Sequence, residues 1–331
     1  MVSIMTSQYS YQIEPITINE LQIRVNYNSF KHVEYCPLIE NNDEVIVDQD
    51  WFQKQTDFTK KFLDLKSIPN VRLDSLEYPH DYLRSKELYR KYILQYSFEN
   101  WEHLLNRKYV KVNISEYDLK ELVYWSGSIQ RRRKKTTDSL EEHFTSKFIN
   151  DLQNALDMFS DTGIFFKLSE KSAKDTQIFR DAHNVEEILE QIAHSEDLLY
   201  FLRTREEKPS IIISAWNDDI TEDNEYRVIV MDNRVVAISQ QFWYTKTYFD
   251  ESLIPEMIQS VYEFHQSIKD QLPYNDCIFD VWIDNEMKTN LIECNPAGAW
   301  SIGGSGLFHW LRDRDIFENQ SPDIHFRYVI E

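Results

Sequence analysis

Two short apolar segments in the C-terminal part of the sequence constrain the fold of this chain most: CIFDVWID from residue 277 and KTNLIECNPAGAW from residue 288. Both are rich in β-branched and aromatic residues, and a polar turn separates them, so the pair predicts two neighbouring β-strands. Strand side chains alternate between faces, which places Glu293 and Asn295 on one face. A neighbouring strand with Asp280 on that face would bring two carboxylates and an amide oxygen together. These hard oxygen ligands suit Mg²⁺ held against nucleotide phosphates.

Composition and charge narrow the class of protein. The 331 residues give room for a sizeable core, and no window approaches 18 uninterrupted apolar residues, so we expect no membrane span. The formal net charge of −20 argues against a nucleic-acid partner, because repulsion from the phosphates would have to be overcome locally. The three widely spaced cysteines fit a reducing compartment. We therefore expect a cytoplasmic protein without a membrane interaction.

Hydrophobic periodicity predicts two regions. Residues 1–150 are expected to form a helix-rich N-terminal region, a partner or substrate lobe, with helices over 85–107, 116–125 and 139–159 after an initial strand-rich stretch. Residues 151–331 are expected to form the nucleotide-binding core, in which strands predominate. There, Asp232 and Asn233 predict a hairpin turn, and a helix is expected over 252–272. The fold class predicted is α+β with mainly antiparallel sheets.

Polar residues around the predicted strand GIFFKLS, from residue 163, are candidates for phosphate contacts. Lys167 ends this strand, and Ser172 and Lys174 follow in a loop that could close over phosphates. The segment matches neither GxxxxGK[ST] nor GxGxxG, so the sequence supports neither a P-loop NTPase nor a Rossmann protein. A lysine at a strand end is also common as a solvated edge residue, and this segment alone leaves both interpretations open.

Two further strands carry candidate contacts with alternative interpretations. The run SIIISAW could present backbone groups of Ser214–Trp216 to an adenine edge, or Trp216 could simply be a core residue. Glu225 and Arg227 share a face of the next strand. They could form a surface ion pair, or Arg227 could bind a terminal phosphate with its planar fork.

The glycines concentrate near the C-terminal end. Four of the six lie in AGAWSIGGSG, residues 297–306. Glycine permits positive φ and a close backbone approach to a ligand. This segment could therefore approach a ligand, or it could be a flexible connection to a predicted final helix at LFHWL, and both interpretations stay open.

The candidate segments occur in a characteristic order: FKLSEKSAKD, SIIISAW, NEYRVIVMDNRVVAISQ, FDVWIDNEMKTNLIECNP and SGLFHW, over about residues 163–310. Together they resemble the cell-division-cycle-123 family of the ATP-grasp superfamily, whose eukaryotic members assist assembly of translation initiation factor 2. The resemblance implies an ATP-grasp-like core with antiparallel sheets. It also implies ATP and Mg²⁺ as cofactors and a partner similar to translation initiation factor 2.

The resemblance further implies roles for individual residues. Lys167, Lys174 and Arg227 would contact the phosphates of ATP, and Lys167 and Arg227 would be the catalytic residues. The metal ligands would be Asp280, Glu293 and Asn295. Further nucleotide contacts would come from Ser172, Ser214, Ala215, Trp216, Glu225, Gln240 and Lys288.

Two functional hypotheses follow from these observations. In the first, the protein is an ATP-binding assembly factor in which the nucleotide holds two lobes closed around a partner. In the alternative, it is an ATP-dependent ligase that activates a carboxylate as an acyl phosphate for attack by a nucleophile. The sequence shows no evident Ser/His/Asp or Cys/His constellation, which favours the assembly factor.

Overall fold

The computed structural model describes residues 2–5, 9–17, 96–132, 139–169, 171–173, 181–204, 209–242, 250–272, 274–297, 305–308, 313–317 and 321–330. The chain divides into two compact units. The first comprises Met1–Tyr96, Asn100–Leu105 and Ile220–Glu331, and the second comprises Ser97–Glu99 and Asn106–Asp219. The predicted division at residue 150, into a partner or substrate lobe and a nucleotide-binding core, stays a prediction, because compactness does not show what each unit does.

The first unit is built on a seven-stranded sheet of order β1-β2-β10-β7-β6-β8-β9. Its strands are β1 (Val2–Met5), β2 (Ser10–Thr17), β6 (Glu225–Met231), β7 (Arg234–Gln240), β8 (Cys277–Ile283), β9 (Thr289–Pro296) and β10 (Asp323–Ile330). Strand β10 runs parallel to both of its neighbours, β2 and β7, whereas the other pairs are antiparallel. Strand β2, near the start of the described chain, and β10, at its end, are therefore neighbours in one sheet.

Local sequence explains the two hairpins of this sheet. Asp232 and Asn233 adopt φ values of 49° and 59°, the left-handed conformation that a tight two-residue turn requires. In the connection between β8 and β9, the Asp284 carboxylate accepts hydrogen bonds from the backbone N–H groups of Glu286 and Lys288, at 3.0 and 2.9 Å. Asx side chains that bind the following backbone stabilise such turns. The predicted hairpin turn and the predicted pairing of β8 with β9 are confirmed.

One face of the large sheet is covered by a helix at residues Ile254–Ile268. Its Phe264 ring meets the Phe279 ring of β8 edge-on, with centroids 6.4 Å apart. Phe279 and Asp280 are consecutive strand residues, so their side chains point to opposite faces. The acidic side chains of β8 and β9 therefore lie on the face opposite to this helix. The predicted helix over 252–272 is confirmed, with one-turn 3₁₀ segments at each end.

The second unit contains a three-stranded antiparallel sheet, in which β5 (Ser210–Ala215) lies between β3 (Tyr109–Asn113) and β4 (Ile164–Leu168). One face of this sheet packs on an apolar core that includes Phe148, Leu152, Phe166 and Ile213. The described helices around that core are α1 (Glu116–Arg132), α2 (Leu140–His143), α3 (Ser146–Asp157), α4 (Val185–His194) and α5 (Glu196–Thr204). The Ile254–Ile268 helix and a short turn at Arg314–Phe317 follow as α6 and α7.

Two helix predictions differ from the structure. The described part of the 85–107 segment forms two 3₁₀ turns, Phe98–Asn100 and Glu102–Leu104, instead of a helix, and residues 85–95 lie outside the described residues. The predicted 139–159 helix is divided into α2 and α3. Thr145 causes the division, because its hydroxyl accepts a hydrogen bond from Phe148 N–H at 3.2 Å and begins a new helix.

Other expectations are met or extended. The helix expected over 116–125 is confirmed and continues to Arg132. Strands β3 and β10 were not predicted. The predicted helix at LFHWL, residues 307–311, lies mostly outside the described residues, and its described part belongs to a turn at 305–308. None of the described helices has the length and apolar character that crossing a membrane demands.

Candidate functional site

A single row of paired residues crosses six strands of the large sheet. Each residue lies directly opposite the next on the neighbouring strand, and directly paired residues share a face. From β2 to β9 the row reads Glu14, Arg327, Ser239, Arg227, Asp280 and Glu293. Five of these six side chains are ionisable, so this face of the sheet carries a line of charged groups that only Ser239 interrupts.

The centre of the row is an ion pair between Arg227 and Asp280. Arg227 Nε donates to Asp280 Oδ1 and Arg227 Nη2 donates to Asp280 Oδ2, both at 2.8 Å. Asp280 is 0% exposed, so the pair is shielded from water. Burial by itself lowers the pKa of Arg227, but the charge and hydrogen bonds of Asp280 outweigh burial, and the pKa is raised. Arg227 is therefore a fixed positive charge.

Asn295 joins the two predicted carboxylate ligands. Its Nδ2 donates to Asp280 Oδ2 at 3.4 Å and to Glu293 Oε1 at 3.1 Å. One electropositive group thus already lies within reach of both carboxylates. Rotation of the amide by 180° would present the oxygen of Asn295 at the same place. The structure brings the three predicted metal ligands together.

The charge balance of this cluster fits a divalent cation. Glu225 lies on the same face of β6 as Arg227, and it contributes to the raised pKa of that residue. The cluster therefore holds three carboxylates, Glu225, Asp280 and Glu293, against one guanidinium. Within the part of the chain that is described, no three His, Cys, Asp or Glu side chains form a metal site by themselves, so the ligand set depends on Asn295.

The other end of the row contains charged residues that the sequence analysis missed. Arg327 Nε donates to Glu14 Oε2 at 2.7 Å, and its two terminal nitrogens donate to Asp313 at 2.6 and 2.8 Å. The guanidinium also stacks 4.2 Å from the centre of the Phe308 ring. Burial opposes ionisation of Glu14, but the hydrogen bond from His325 and the charge of Arg327 prevail and lower its pKa to about 2. The alternation of polar and apolar residues in DIHFRYVI was the available signal for this strand.

Ser239 separates the two arginines of the row and receives the end of the glycine-rich segment. Leu307 N–H donates to Ser239 Oγ at 2.9 Å. Gly306 has a φ of 61°, and a Cβ at that position would lie 2.3 Å from Ser239 Oγ. Glycine is required here for both reasons. This end of the segment is a close packing contact, and residues 298–304 lie outside the described residues.

In the second unit, the structure groups several predicted phosphate contacts on one face of the small sheet. Lys167 forms an isolated β-bridge with Ser172, so the chain returns antiparallel to the end of β4. Ser214 lies two residues beyond Ile212, the partner of Lys167, and therefore shares its face. Lys174 lies outside the described residues.

Other predicted contacts point elsewhere. The Ala215 side chain packs against the apolar core, and Trp216 N–H donates to the Gly163 carbonyl at 3.1 Å. Only backbone groups of Ala215 could therefore reach an adenine edge.

Two predicted contacts lie away from the cluster of the large sheet. Gln240 follows Ser239 on β7, so its side chain lies on the opposite face. Its amide oxygen accepts from Val329 N–H at 2.9 Å and its amide nitrogen donates to the Phe242 carbonyl at 2.6 Å. Lys288 is exposed in the turn before β9, five residues and about 17 Å of strand from Glu293. The structure does not bring either residue to the metal-ligand cluster.

Comparison with known proteins places this arrangement in a family. The sequence profile of the D123 family matches residues 146–331, which is more than half of the chain. This chain belongs to the D123 family. The match includes β4 to β10 and thus five members of the charged row, whereas Glu14 and β3 precede it.

Curated relatives of this D123 protein align with it over a shorter segment than the D123 profile does. It is 32% identical over 130 residues to the translation initiation factor eIF2 assembly protein of Xenopus tropicalis and 31% identical over 132 residues to that of Xenopus laevis. Each alignment covers 37% of this chain and 38% of the relative. The match thus spans well under half the length of these relatives.

A solved structure shares the fold of this D123 protein. Cdc123 from Schizosaccharomyces pombe superposes with a TM-score of 0.58 at 17% identity, over 72% of this chain and 97% of that chain. The predicted family is confirmed. The predicted α+β fold class with mainly antiparallel sheets is also confirmed, and it is shared with Cdc123. Of the helices predicted for the N-terminal half, those over 116–125 and 139–159 fall on described residues and correspond to α1, α2 and α3. Residues 18–95 lie outside the described residues.

Proposed function

We propose that this chain binds ATP together with Mg²⁺ and acts as an assembly factor for a complex similar to translation initiation factor 2. The observation that supports cofactor binding is the convergence of Asp280, Glu293 and Asn295 beside Arg227. The partner is proposed from the name of the Xenopus relatives, which are eIF2 assembly proteins.

The proposed roles follow from the chemistry of each side chain. Asp280, Glu293 and Asn295 would hold Mg²⁺, which supplies charge neutralisation to phosphate oxygens when bound. Arg227 binds Asp280 through Nε and Nη2, while Nη1 carries two further N–H groups that can donate to a phosphate. Because Asp280 fixes the guanidinium plane, Arg227 needs little reorganisation to receive an anion. Lys167 and Ser172 remain proposed phosphate contacts of the second unit.

Calorimetric titration of ATP, with Mg²⁺ or with EDTA, tests the cofactor part. We expect Mg²⁺-dependent binding by the wild-type chain and at least about a tenfold weaker affinity in Glu293→Ala, because a carboxylate ligand is lost. Glu286→Ala is the matched control, since it removes an exposed carboxylate from the turn of the same hairpin. An affinity of Glu293→Ala equal to that of Glu286→Ala would reject the metal assignment.

Size-exclusion chromatography with purified subunits of translation initiation factor 2 tests the partner part. We expect the wild-type chain to co-elute with a subunit when Mg²⁺ and ATP are present, and Glu293→Ala to elute separately. Elution of the wild-type chain alone would remove this partner. Sustained release of ADP and phosphate on addition of a carboxylic acid and an amine would instead support the ligase alternative.

A further inference from the structure

Three side chains form a hydrogen-bonded chain where β10 begins beside β2. His325 Nδ1 lies 3.0 Å from Glu14 Oε1, and His325 Nε2 lies 3.1 Å from Ser321 Oγ. Glu14 and His325 are 311 positions apart, which is why the sequence alone shows no such constellation. A hydroxyl, an imidazole and a carboxylate in this order, each within hydrogen-bond reach of the next, are the parts of an activated serine nucleophile.

The carboxylate determines which nitrogen of the imidazole carries the proton. Burial raises the pKa of Glu14, but the hydrogen bond from His325 and the charge of Arg327 outweigh burial and lower the pKa to about 2. Arg327 Nε holds the other carboxylate oxygen of Glu14 at 2.7 Å. An ionised carboxylate only accepts hydrogen bonds, so His325 Nδ1 is the donor. When the ring is neutral, Nε2 is therefore an acceptor that faces the Ser321 hydroxyl.

The surroundings of Ser321 favour the loss of its hydroxyl proton. Asp323 N–H donates to Ser321 Oγ at 3.2 Å, which leaves the hydroxyl proton for His325 Nε2. The terminal nitrogens of Arg234 donate to the carbonyls of Ser321 and Pro322, at 2.6 and 3.0 Å, so a guanidinium lies beside the backbone of this serine. Both groups favour negative charge that develops at or near Oγ. Ser321 is partly exposed, so a small reagent can reach the hydroxyl.

We propose that Ser321, His325 and Glu14 form a second reactive centre, in which Ser321 accepts the acyl group of a small ester. His325 Nε2 takes the hydroxyl proton as Ser321 Oγ bonds to the ester carbonyl carbon. The same nitrogen gives that proton to the departing alcohol as the ester C–O bond breaks. Water, deprotonated by His325, then cleaves the acyl-serine, which releases a carboxylic acid and restores the hydroxyl. Glu14 does not touch the ester and is a positioning residue. This centre is independent of the proposed binding of ATP and Mg²⁺.

A fluorophosphonate probe tests the nucleophile, because it phosphonylates activated serines with loss of fluoride. We expect the wild-type chain, in EDTA and without nucleotide, to be labelled at Ser321, as located by peptide mass spectrometry. His325→Gln should lower the labelling rate by about a hundredfold, since the base is lost. The exposed Ser252 of the same chain is an internal control. Labelling of Ser321 no faster than that of Ser252 would overturn the proposal.

A thiol at the same position tests the base without an acyl or phosphonyl group. In Ser321→Cys, iodoacetamide should alkylate the introduced thiol at least about tenfold faster than in Ser252→Cys, because His325 favours the thiolate. Addition of His325→Gln to Ser321→Cys should remove this difference. Equal rates at the two positions with His325 present would overturn its role as the base.

Hydrolysis of p-nitrophenyl acetate separates a positioning role of Glu14 from a purely structural one. We expect Glu14→Gln to lower kcat by about a hundredfold with little change in KM, because a neutral amide no longer selects the imidazole tautomer that accepts from Ser321. Circular dichroism at the assay temperature checks that the variant is folded. The exposed Glu256→Gln is the matched control and should keep the wild-type kcat.

Two outcomes of this assay would contradict the proposal at different points. A wild-type kcat in folded Glu14→Gln would overturn the positioning role of Glu14 alone. Release of p-nitrophenol by the wild-type chain no faster than by Ser321→Ala would overturn acyl transfer to Ser321. Neither outcome bears on the binding of ATP, which the calorimetric titration measures separately.

Discussion

Arg227 and Asp280 lie directly opposite each other on β6 and β8, and two hydrogen bonds of 2.8 Å join their charged groups. The sequence analysis gave them separate roles, one with phosphate and one with metal. Their pairing means that each fixes the orientation of the other inside a buried site. A change at either residue therefore affects both the proposed chemistry and the stability of the sheet.

Asp280→Ala should destabilise the chain by about 3–5 kcal/mol, because it leaves the Arg227 guanidinium buried without its carboxylate. Urea unfolding at pH 7 measures this change. The double variant Arg227→Met with Asp280→Leu should lose less than the two single changes combined, since no charge is stranded. Strict additivity of the two changes would contradict the inferred coupling. Loss of ATP binding in Asp280→Ala would not distinguish a lost metal ligand from a destabilised sheet. Glu293→Ala is therefore the better test of the metal site.

Glu14 should give the chain an acid-sensitive component of stability. Its pKa is lowered from 4.5 to about 2, so the folded state favours the ionised carboxylate. The stabilisation is complete above about pH 4.5 and is lost as pH falls towards about 2, by about 3 kcal/mol in total. Glu14→Gln should therefore be less stable than wild type at pH 7, with the difference shrinking below pH 4. Unfolding measured at several pH values checks this, with the exposed Glu256→Gln as the control. A difference that does not vary with pH would contradict the role of ionised Glu14.

His265 adds a second pH-dependent contribution in a higher range. Burial, with the nearby Lys269 charge, lowers its pKa from 6.5 to about 4, so it is neutral in the folded state at pH 7. As pH falls, His265 is protonated in the unfolded chain before it is protonated in the folded chain. The free energy of unfolding should therefore fall by about 3 kcal/mol between about pH 6.5 and pH 4. Its buried Nε2 has no hydrogen-bond partner within the described ranges. His265→Leu should flatten the pH profile of stability in this range, whereas the exposed His194→Leu should not. A profile unchanged by His265→Leu would remove this residue as the source.

Gly306 and Gly163 form a matched pair of positive-φ glycines. Gly163→Ala brings a Cβ within 2.8 Å of the exposed His183 ring, which can move, so the cost should be about 1 kcal/mol from backbone strain. Gly306→Ala meets buried Ser239 Oγ at 2.3 Å, and we expect about 3 kcal/mol or more, because overpacking adds to the strain. Thermal unfolding of the two variants compares these costs. Equal losses would show that the Ser239 contact yields easily.

Strands β6 to β9 could be predicted from the sequence because each has a strong local pattern and a short connection to its partner. The convergence of Glu293, Asn295 and Asp280 followed from alternation along two adjacent strands. Thr145, by contrast, divided a predicted helix, since a capping hydroxyl competes with a continuous apolar stripe. Arg327 was missed because it lies on a strand whose partners are distant in sequence.

The sequence by itself determined strands β6 to β9 and the helix between β7 and β8, and which side chains share a face within one strand. Periodicity of two or 3.6 residues is a local property, so it can be recognised without a structure. Only the tertiary structure decided that β10 lies between β2 and β7, and hence that Arg327 joins the row of Arg227 and Asp280. The register between strands separated by many residues depends on packing of the whole sheet, which no local pattern encodes.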